Sequence, residues 1–130
     1  MLQKLHIRTP ARNSMVDVTA EVQRIVAESG VRSGLVCIFT PHTTAAVTIN
    51  EHDDPDVARD ILVTLEKQIP QQGDYRHYEH NSDSHIKSSL TGCSQTVIVD
   101  DGRIMLGTWQ GVFFCEFDGP RQREVWVKVV

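Results

Sequence analysis

GLVCIFTPHTTAAVTINE, residues 34 to 51, contains two apolar runs separated by a short polar segment. Gly34–Thr40 is rich in β-branched and aromatic residues, and Ala45–Ile49 resumes this character after Pro41-His42-Thr43-Thr44. Apolar runs of this length with polar boundaries are typical of strands. We therefore predict two strands here, with polar residues at their ends.

Amphipathic helices are predicted on both sides of these strands. Upstream, Val18, Val22, Ile25 and Val26 recur at helical spacing, and the pattern ends at Ser29-Gly30.

Downstream, Asp53-Asp54-Pro55 predicts a helix start, because Asp caps the first turn and Pro at the first helical position loses no hydrogen bond. An apolar stripe from Val57 to Ile69 follows and ends at Pro70. A short third helix is predicted over Ser82–Leu90, ending near Gly92.

The rest of the chain has the character of strands. Leu2–Arg8 alternates and predicts an edge strand, and Asp100-Asp101-Gly102 predicts the turn of a hairpin. The other predicted strands are Thr96–Val99, Arg103–Leu106, Val112–Phe117 and Val125–Val130. The pattern predicts a single α+β domain over residues 1–130. Its mixed, mostly antiparallel sheet has about seven strands, with two amphipathic helices and one short helix.

Composition excludes several classes of protein. A length of 130 residues is that of one domain, and the net charge of −4 provides no general attraction for nucleic acid or for anionic lipid. The chain has no apolar run long enough for a membrane helix and no secretory signal pattern, so we expect a cytoplasmic protein. The three cysteines show no CxxC spacing and are expected to be reduced, buried and inert.

Histidine distribution is unusual, because His77, His80 and His85 fall within nine residues. Two or three neutral imidazoles bind zinc and related ions and leave a coordination position open. The spacings match no standard zinc motif. The alternative to metal binding is that these histidines belong to a solvated polar surface loop.

Two further polar groups are candidates for function. His42 and Glu51 stand at the ends of the two central strands, where rigid backbone suits functional groups. The alternative is that His42 is an exposed loop histidine and that Asp53 and Asp54 only cap a helix. Thr108, Trp109 and Gln110 lie between two glycines, where they either contact a ligand or pack.

A phosphate or carboxylate is a suitable ligand for a third group of side chains. This group consists of Lys87, Ser88, Ser89 and Arg103.

Three linked motifs carry a resemblance to a known family. They are HTTAAVTINE at residues 42–51, SHIKSSL at residues 84–90 and GRIMLGTWQG at residues 102–111. In this order they resemble the YjbQ-like family, and the similarity extends over essentially the whole chain. The resemblance implies a small cytosolic α+β protein that forms a homotrimer, in a family that carries the name secondary thiamine-phosphate synthase.

The resemblance also implies a set of site residues, from which His80 is absent. His42, His77 and His85 are the expected ligands of a divalent metal such as zinc, and Glu51 and Arg103 are the expected catalytic residues. The expected ligand-binding residues are Lys87, Ser88, Thr108, Trp109 and Gln110.

Three hypotheses for function follow. The first is an enzyme with weak thiamine-phosphate synthase activity or another metal-dependent reaction on a small phosphorylated molecule. The second is a non-catalytic trimer that binds a metal or an anion. The third is a structural trimer whose histidines line an interface and titrate with pH.

Overall fold

A computed structural model describes residues 1–130 as eight strands and three helices. In chain order they are β1 (Leu2–Arg8), β2 (Ser14–Asp17), α1 (Thr19–Ser29), β3 (Ser33–Phe39), β4 (Ala45–Glu51), α2 (Pro55–Gln68), α3 (Ser82–Thr91), β5 (Ser94–Asp100), β6 (Arg103–Ile104), β7 (Gln110–Glu116) and β8 (Gln122–Val129). The predicted α+β class is confirmed.

Five strands form an antiparallel sheet in the order β1-β8-β3-β5-β6. β1 lies at one edge, as its alternating pattern predicts, and β6 lies at the other edge. Alternate residues such as Val36 and Ile38 of β3 and Val97 and Val99 of β5 are buried on the inner face. Their neighbours along each strand point to the opposite face, because successive side chains in a strand alternate.

The other three strands form a separate antiparallel sheet in the order β2-β7-β4. Its central strand, β7, is buried from Gly111 to Glu116. Phe114 faces the large core shared with α1 and the five-stranded sheet, whereas Phe113 and Cys115 pack on the other side against Leu62 and Leu65 of α2. This sheet is therefore covered on both faces.

Helix α1 buries the predicted residues Val22, Ile25 and Val26 and ends at Gly30, whose φ of 74° is the left-handed conformation that glycine tolerates. Helix α2 begins as predicted, because an Asp54 carboxylate oxygen accepts the Asp56 N–H at 2.9 Å. None of its residues is fully buried. None of the three helices has the length and apolar character needed to span a membrane.

The structure differs from the prediction in three details. The strands divide into two sheets and number eight, since the four-residue β2 was not predicted. β6 contains only Arg103 and Ile104 of the predicted Arg103–Leu106 strand. The expectation of buried cysteines is wrong for Cys37 and Cys93, which are exposed, and right for Cys115.

Candidate functional site

His77 and His85 form the most suggestive pair of side chains for chemistry. His77 lies in the loop before α3, and His85 lies in the second turn of that helix. Their ring centroids are 5.5 Å apart, and the rings meet edge to face at 88°. His77 Nε2 lies 3.1 Å from Asn81 Oδ1, a contact that fixes the ring against the residue preceding α3.

A surface cavity of about 450 Å³ contains this pair. Asp74, Arg76 and Ser82 also line it, so a carboxylate, a cation and a hydroxyl flank the imidazoles. The Tyr75 hydroxyl donates a 2.6 Å hydrogen bond to the Pro70 carbonyl and thereby braces the loop that forms one wall. The cavity therefore combines two imidazoles with side chains of both charges.

The chain by itself supplies no complete metal site. No group of three or more His, Cys, Asp or Glu side chains is placed to hold one ion, so His42 does not join His77 and His85 within one copy. Two imidazoles fill two positions of a tetrahedral ion, and catalytic zinc normally takes three protein ligands.

His42 lies elsewhere, near the beginning of β8. Its Nε2 accepts the Glu124 N–H at 2.9 Å, so it takes the place of a strand partner where β3 has already ended. Burial lowers the pKa of His42, and the nearby Arg123 guanidinium lowers it further. A neutral ring that accepts at Nε2 carries its proton on Nδ1, which is then a hydrogen-bond donor.

Glu51, Trp109 and Gln110 lie together at a third location. Glu51 is paired with Gln110 across β4 and β7, and the Trp109 carbonyl accepts the His52 N–H at 2.9 Å. Gln110 Oε1 accepts the Gly107 N–H at 2.8 Å, which closes the turn that carries Thr108. Trp109 is 58% exposed, so its ring is available to a ligand or to another protein surface.

The predicted phosphate-binding residues separate into buried and exposed positions. Lys87 is 1% exposed and donates to Asp83 at 2.8 Å and to Glu66 at 2.5 Å. Ser88 Oγ donates to the Ala45 carbonyl at 2.6 Å, whereas Arg103 is exposed on β6. A ligand-binding role for Lys87 or Ser88 stays a prediction, since both groups already have partners in the chain.

Two buried ionic clusters were not predicted from the sequence. In the first, the Arg12 guanidinium donates to both oxygens of the Asp83 carboxylate, at 3.0 and 3.1 Å. In the second, Arg123 donates to the fully buried Glu116, which also accepts from the Thr9 hydroxyl at 2.7 Å. A single acid in the otherwise apolar run Val112–Phe117 was the available signal for the second cluster.

Both carboxylates stay ionised because of their partners. Burial alone raises the pKa of Asp83, but hydrogen bonds from Arg12 and Lys87 outweigh it and lower the pKa below its ordinary value. The pKa of Glu116 is likewise lowered, since hydrogen bonds from Arg123 and Thr9 outweigh its burial. The two clusters are thus charged structural elements at neutral pH.

An exposed pair, Asp17 and His52, was also missed. The Asp17 carboxylate lies 2.8 Å from His52 Nδ1 and also accepts from the Thr19 N–H and hydroxyl. Burial raises the pKa of Asp17, but the bonds from Thr19 and His52 dominate and lower it. The two residues are 35 positions apart, and no local sequence pattern predicts their contact.

Comparison with known proteins gives a consistent result along the whole chain. Residues 3–130 match the family model described as UPF0047 protein YjbQ-like. The chain is 52% identical to UPF0047 protein MJ1081 of Methanocaldococcus jannaschii, covering 100% of this chain and 94% of that protein. It is 49% identical to UPF0047 protein YugU of Bacillus subtilis, covering 100% and 99%.

Solved structures agree with these matches. A crystal structure of an uncharacterised YjbQ/UPF0047 protein from Clostridium acetobutylicum has a TM-score of 0.97 and 52% identity, covering 98% of this chain and 99% of that one. A protein of unknown function from Sulfolobus solfataricus has a TM-score of 0.96 at 30% identity, covering 99% and 95%.

Proposed function

Because the chain belongs to the YjbQ-like UPF0047 family, we propose that it is an enzyme that binds a divalent metal such as zinc together with a small phosphorylated molecule. His77 and His85 are the proposed metal ligands. The observation that carries the proposal is the 5.5 Å separation of their ring centroids. Two imidazoles on one tetrahedral zinc ion, with Zn–N distances of ~2.0–2.1 Å, place their centroids roughly 5 Å apart.

The remaining coordination positions suit the substrate. A phosphoryl oxygen bound to the ion is polarised, and the Arg76 guanidinium in the same cavity pairs with the anion. His42 is the third ligand that family resemblance implies, but its Nε2 has to give up the Glu124 N–H first.

The proposed catalytic residues require a second copy of the chain. Neither Glu51 nor Arg103 lines the cavity of His77 and His85. A homotrimer, as the family resemblance implies, gives these residues a way to reach a ligand in a neighbouring copy. Weak thiamine-phosphate synthase activity is one reaction of the proposed class.

Zinc binding tests the proposal directly. Untagged protein is dialysed against zinc, with and without inorganic phosphate, and bound metal is measured by elemental analysis. We expect near-stoichiometric zinc in the wild type and a loss of most of it in His77→Ala and in His85→Ala. Phosphate should tighten zinc binding if the two ligands bind together, because a phosphate oxygen then completes the coordination of the ion. By linkage, zinc tightens phosphate binding by the same factor.

His80→Asn is the matched control. His80 lies in the same loop at a positive φ of 63°, which Asn tolerates well. This variant should keep its zinc. Equal zinc in all four proteins, or none in any of them, contradicts the proposed ligands.

A non-catalytic metal- or anion-binding protein is the second candidate function. The absence of Glu51 and Arg103 from the cavity of a single copy favours it. Release of phosphate or diphosphate from phosphorylated metabolites by the zinc-loaded protein separates the two candidates. Binding without turnover supports the second one.

A further inference from the structure

The side chain of Asn81 connects His77 to the segment that follows β7. Its Nδ2 donates to Asp118 Oδ2 at 2.8 Å, and its Oδ1 lies 3.1 Å from His77 Nε2. Asn81 precedes α3 at a position where an asparagine side chain normally caps the helix, yet it makes no capping hydrogen bond. The amide is instead shared between His77 and Asp118, and we call these two contacts the Asn81–Asp118 bridge.

Asp118 determines which way the Asn81 amide points. Its carboxylate accepts hydrogen bonds, and the Arg121 guanidinium donates to the same Oδ2 atom at 3.1 Å. Arg121 Nε also donates to the Asp118 carbonyl at 2.7 Å, so residue 118 is held through both its side chain and its backbone. Turning the amide over would set two acceptor oxygens against each other with no proton between them. The amide nitrogen therefore faces Asp118, and the amide oxygen faces His77.

This orientation of the amide selects one tautomer of His77. An amide oxygen only accepts, so the ring nitrogen that meets it, Nε2, carries the proton. A Glu79 carboxylate oxygen lies 3.7 Å from the same nitrogen, which is too far for a hydrogen bond. A neutral imidazole has one N–H, so the lone pair of Nδ1 is left free.

We propose that the Asn81–Asp118 bridge holds His77 as the Nε2–H tautomer and thereby makes Nδ1 the nitrogen that coordinates the metal. Asn81 and Asp118 are positioning residues, because neither lines the cavity of His77 and His85. The tautomer is a property of the chain alone, whereas the role of Nδ1 as a metal ligand rests on the proposed function. Metal-binding histidines usually donate their second ring N–H to an oxygen, and loss of that partner weakens metal binding about 10–100-fold.

Imidazole nitrogen-15 NMR of the untagged, metal-free full chain tests the tautomer directly. Spectra are recorded at about pH 8, where an ordinary imidazole is neutral, and His77→Gln identifies the His77 signals. The wild type should carry its proton on Nε2. In Asp118→Asn, residue 118 offers Asn81 either an oxygen or an N–H, so the Asn81 amide can turn over. The share of the Nδ1–H form should then rise, and zinc affinity should fall about 10–100-fold.

A double variant and a control make this result specific to the direction of the bridge. Asn81→Asp combined with Asp118→Asn keeps the wild-type net charge. The carboxylate at position 81 can only accept from His77, and the amide at position 118 can donate to it, so the Nε2–H form and zinc binding should both return. Glu79→Gln is the control, since Glu79 makes no hydrogen bond to His77 and its loss should leave the tautomer unchanged.

The outcomes separate this proposal from a purely structural tether and from the proposed function. Asp118→Asn that loses stability but keeps the wild-type tautomer overturns the proposal. A wild type with its proton on Nδ1, or a double variant with the same tautomers as Asp118→Asn, also overturns it, even if zinc binds. The expected tautomers in a wild type that binds no zinc contradict the proposed function and support the part of the inference that concerns the chain alone.

Discussion

The two faces of α3 differ in how completely their polar groups are engaged. On the inner face, Asp83 and Lys87 form an ion pair at 2.8 Å, and both side chains are almost completely buried. Ser84 donates to the Phe117 carbonyl at 2.5 Å, and Ser88 donates to the Ala45 carbonyl. This face attaches the helix to β4 and to Phe117, the residue that follows β7.

The outer face makes no comparable contacts with the rest of the chain. The His85 ring lies against the neighbouring His77 ring. Ile86 and Leu90 are exposed, and the Ser89 hydroxyl donates to a carbonyl of its own helix. Within α3, the inward-facing side chains therefore stabilise the fold, whereas the outward-facing side chains are available to a ligand or a partner. Substitutions on the two faces should separate these roles.

Asp83→Ala should have the largest effect on stability. The substitution leaves Arg12 without its bidentate partner and removes one of the two carboxylates that pair with the buried Lys87. Breaking a buried ion pair from one side costs about 3–5 kcal/mol. Urea unfolding at one fixed protein concentration measures this loss.

The control is Glu28→Ala, which breaks the exposed pair between Arg24 and Glu28 on α1. An exposed pair four residues apart contributes only about 0.3–0.5 kcal/mol. If the two variants lose similar stability, the inner face of α3 does not have the structural role described.

Lowering the pH should weaken the cluster around Asp83 gradually, with a smaller loss of stability than Asp83→Ala causes. The folded pKa of Asp83 is lowered from 3.8, so its ionised form stabilises the protein above that value and the contribution disappears as the pH falls through the folded pKa. The free energy of unfolding should therefore decrease below about pH 4 in the wild type. Asp83→Asn should show a shallower decrease in that range, although Glu116 still contributes its own.

Unfolding profiles between neutral and acid pH check this dependence. Parallel profiles for the wild type and Asp83→Asn would mean that ionisation of Asp83 does not contribute to the free energy of unfolding.

Local pattern predicted most of the fold. The cap at Asp54 and the edge strand at β1 depend on neighbours within a few residues, and both are present. β2 was missed because four residues with two apolar side chains carry too short an alternation, and only pairing with β7 makes them a strand.

The candidate site was predictable only in part, for a physical reason. His77 and His85 lie eight positions apart across a helix start, so sequence proximity brings them together. The partners of Lys87 come from α2 and from its own helix, and a lysine in a serine-rich helix looks the same in sequence whether it binds a phosphate or a buried carboxylate. Placement across elements is decided by packing, which periodicity does not specify.

Ser88→Ala and Ser89→Ala should give the smallest effects and the most direct comparison of the two faces. Both delete one hydroxyl at adjacent positions of one helix. Ser88→Ala removes the only side-chain donor to the Ala45 carbonyl in a buried setting, which costs about 1–3 kcal/mol. Ser89→Ala removes an exposed bond within the helix and gains helix propensity, so stability should rise by up to about 0.5 kcal/mol. Thermal unfolding of the pair measures the difference, and equal shifts would show that the helix does not distinguish an inner from an outer face.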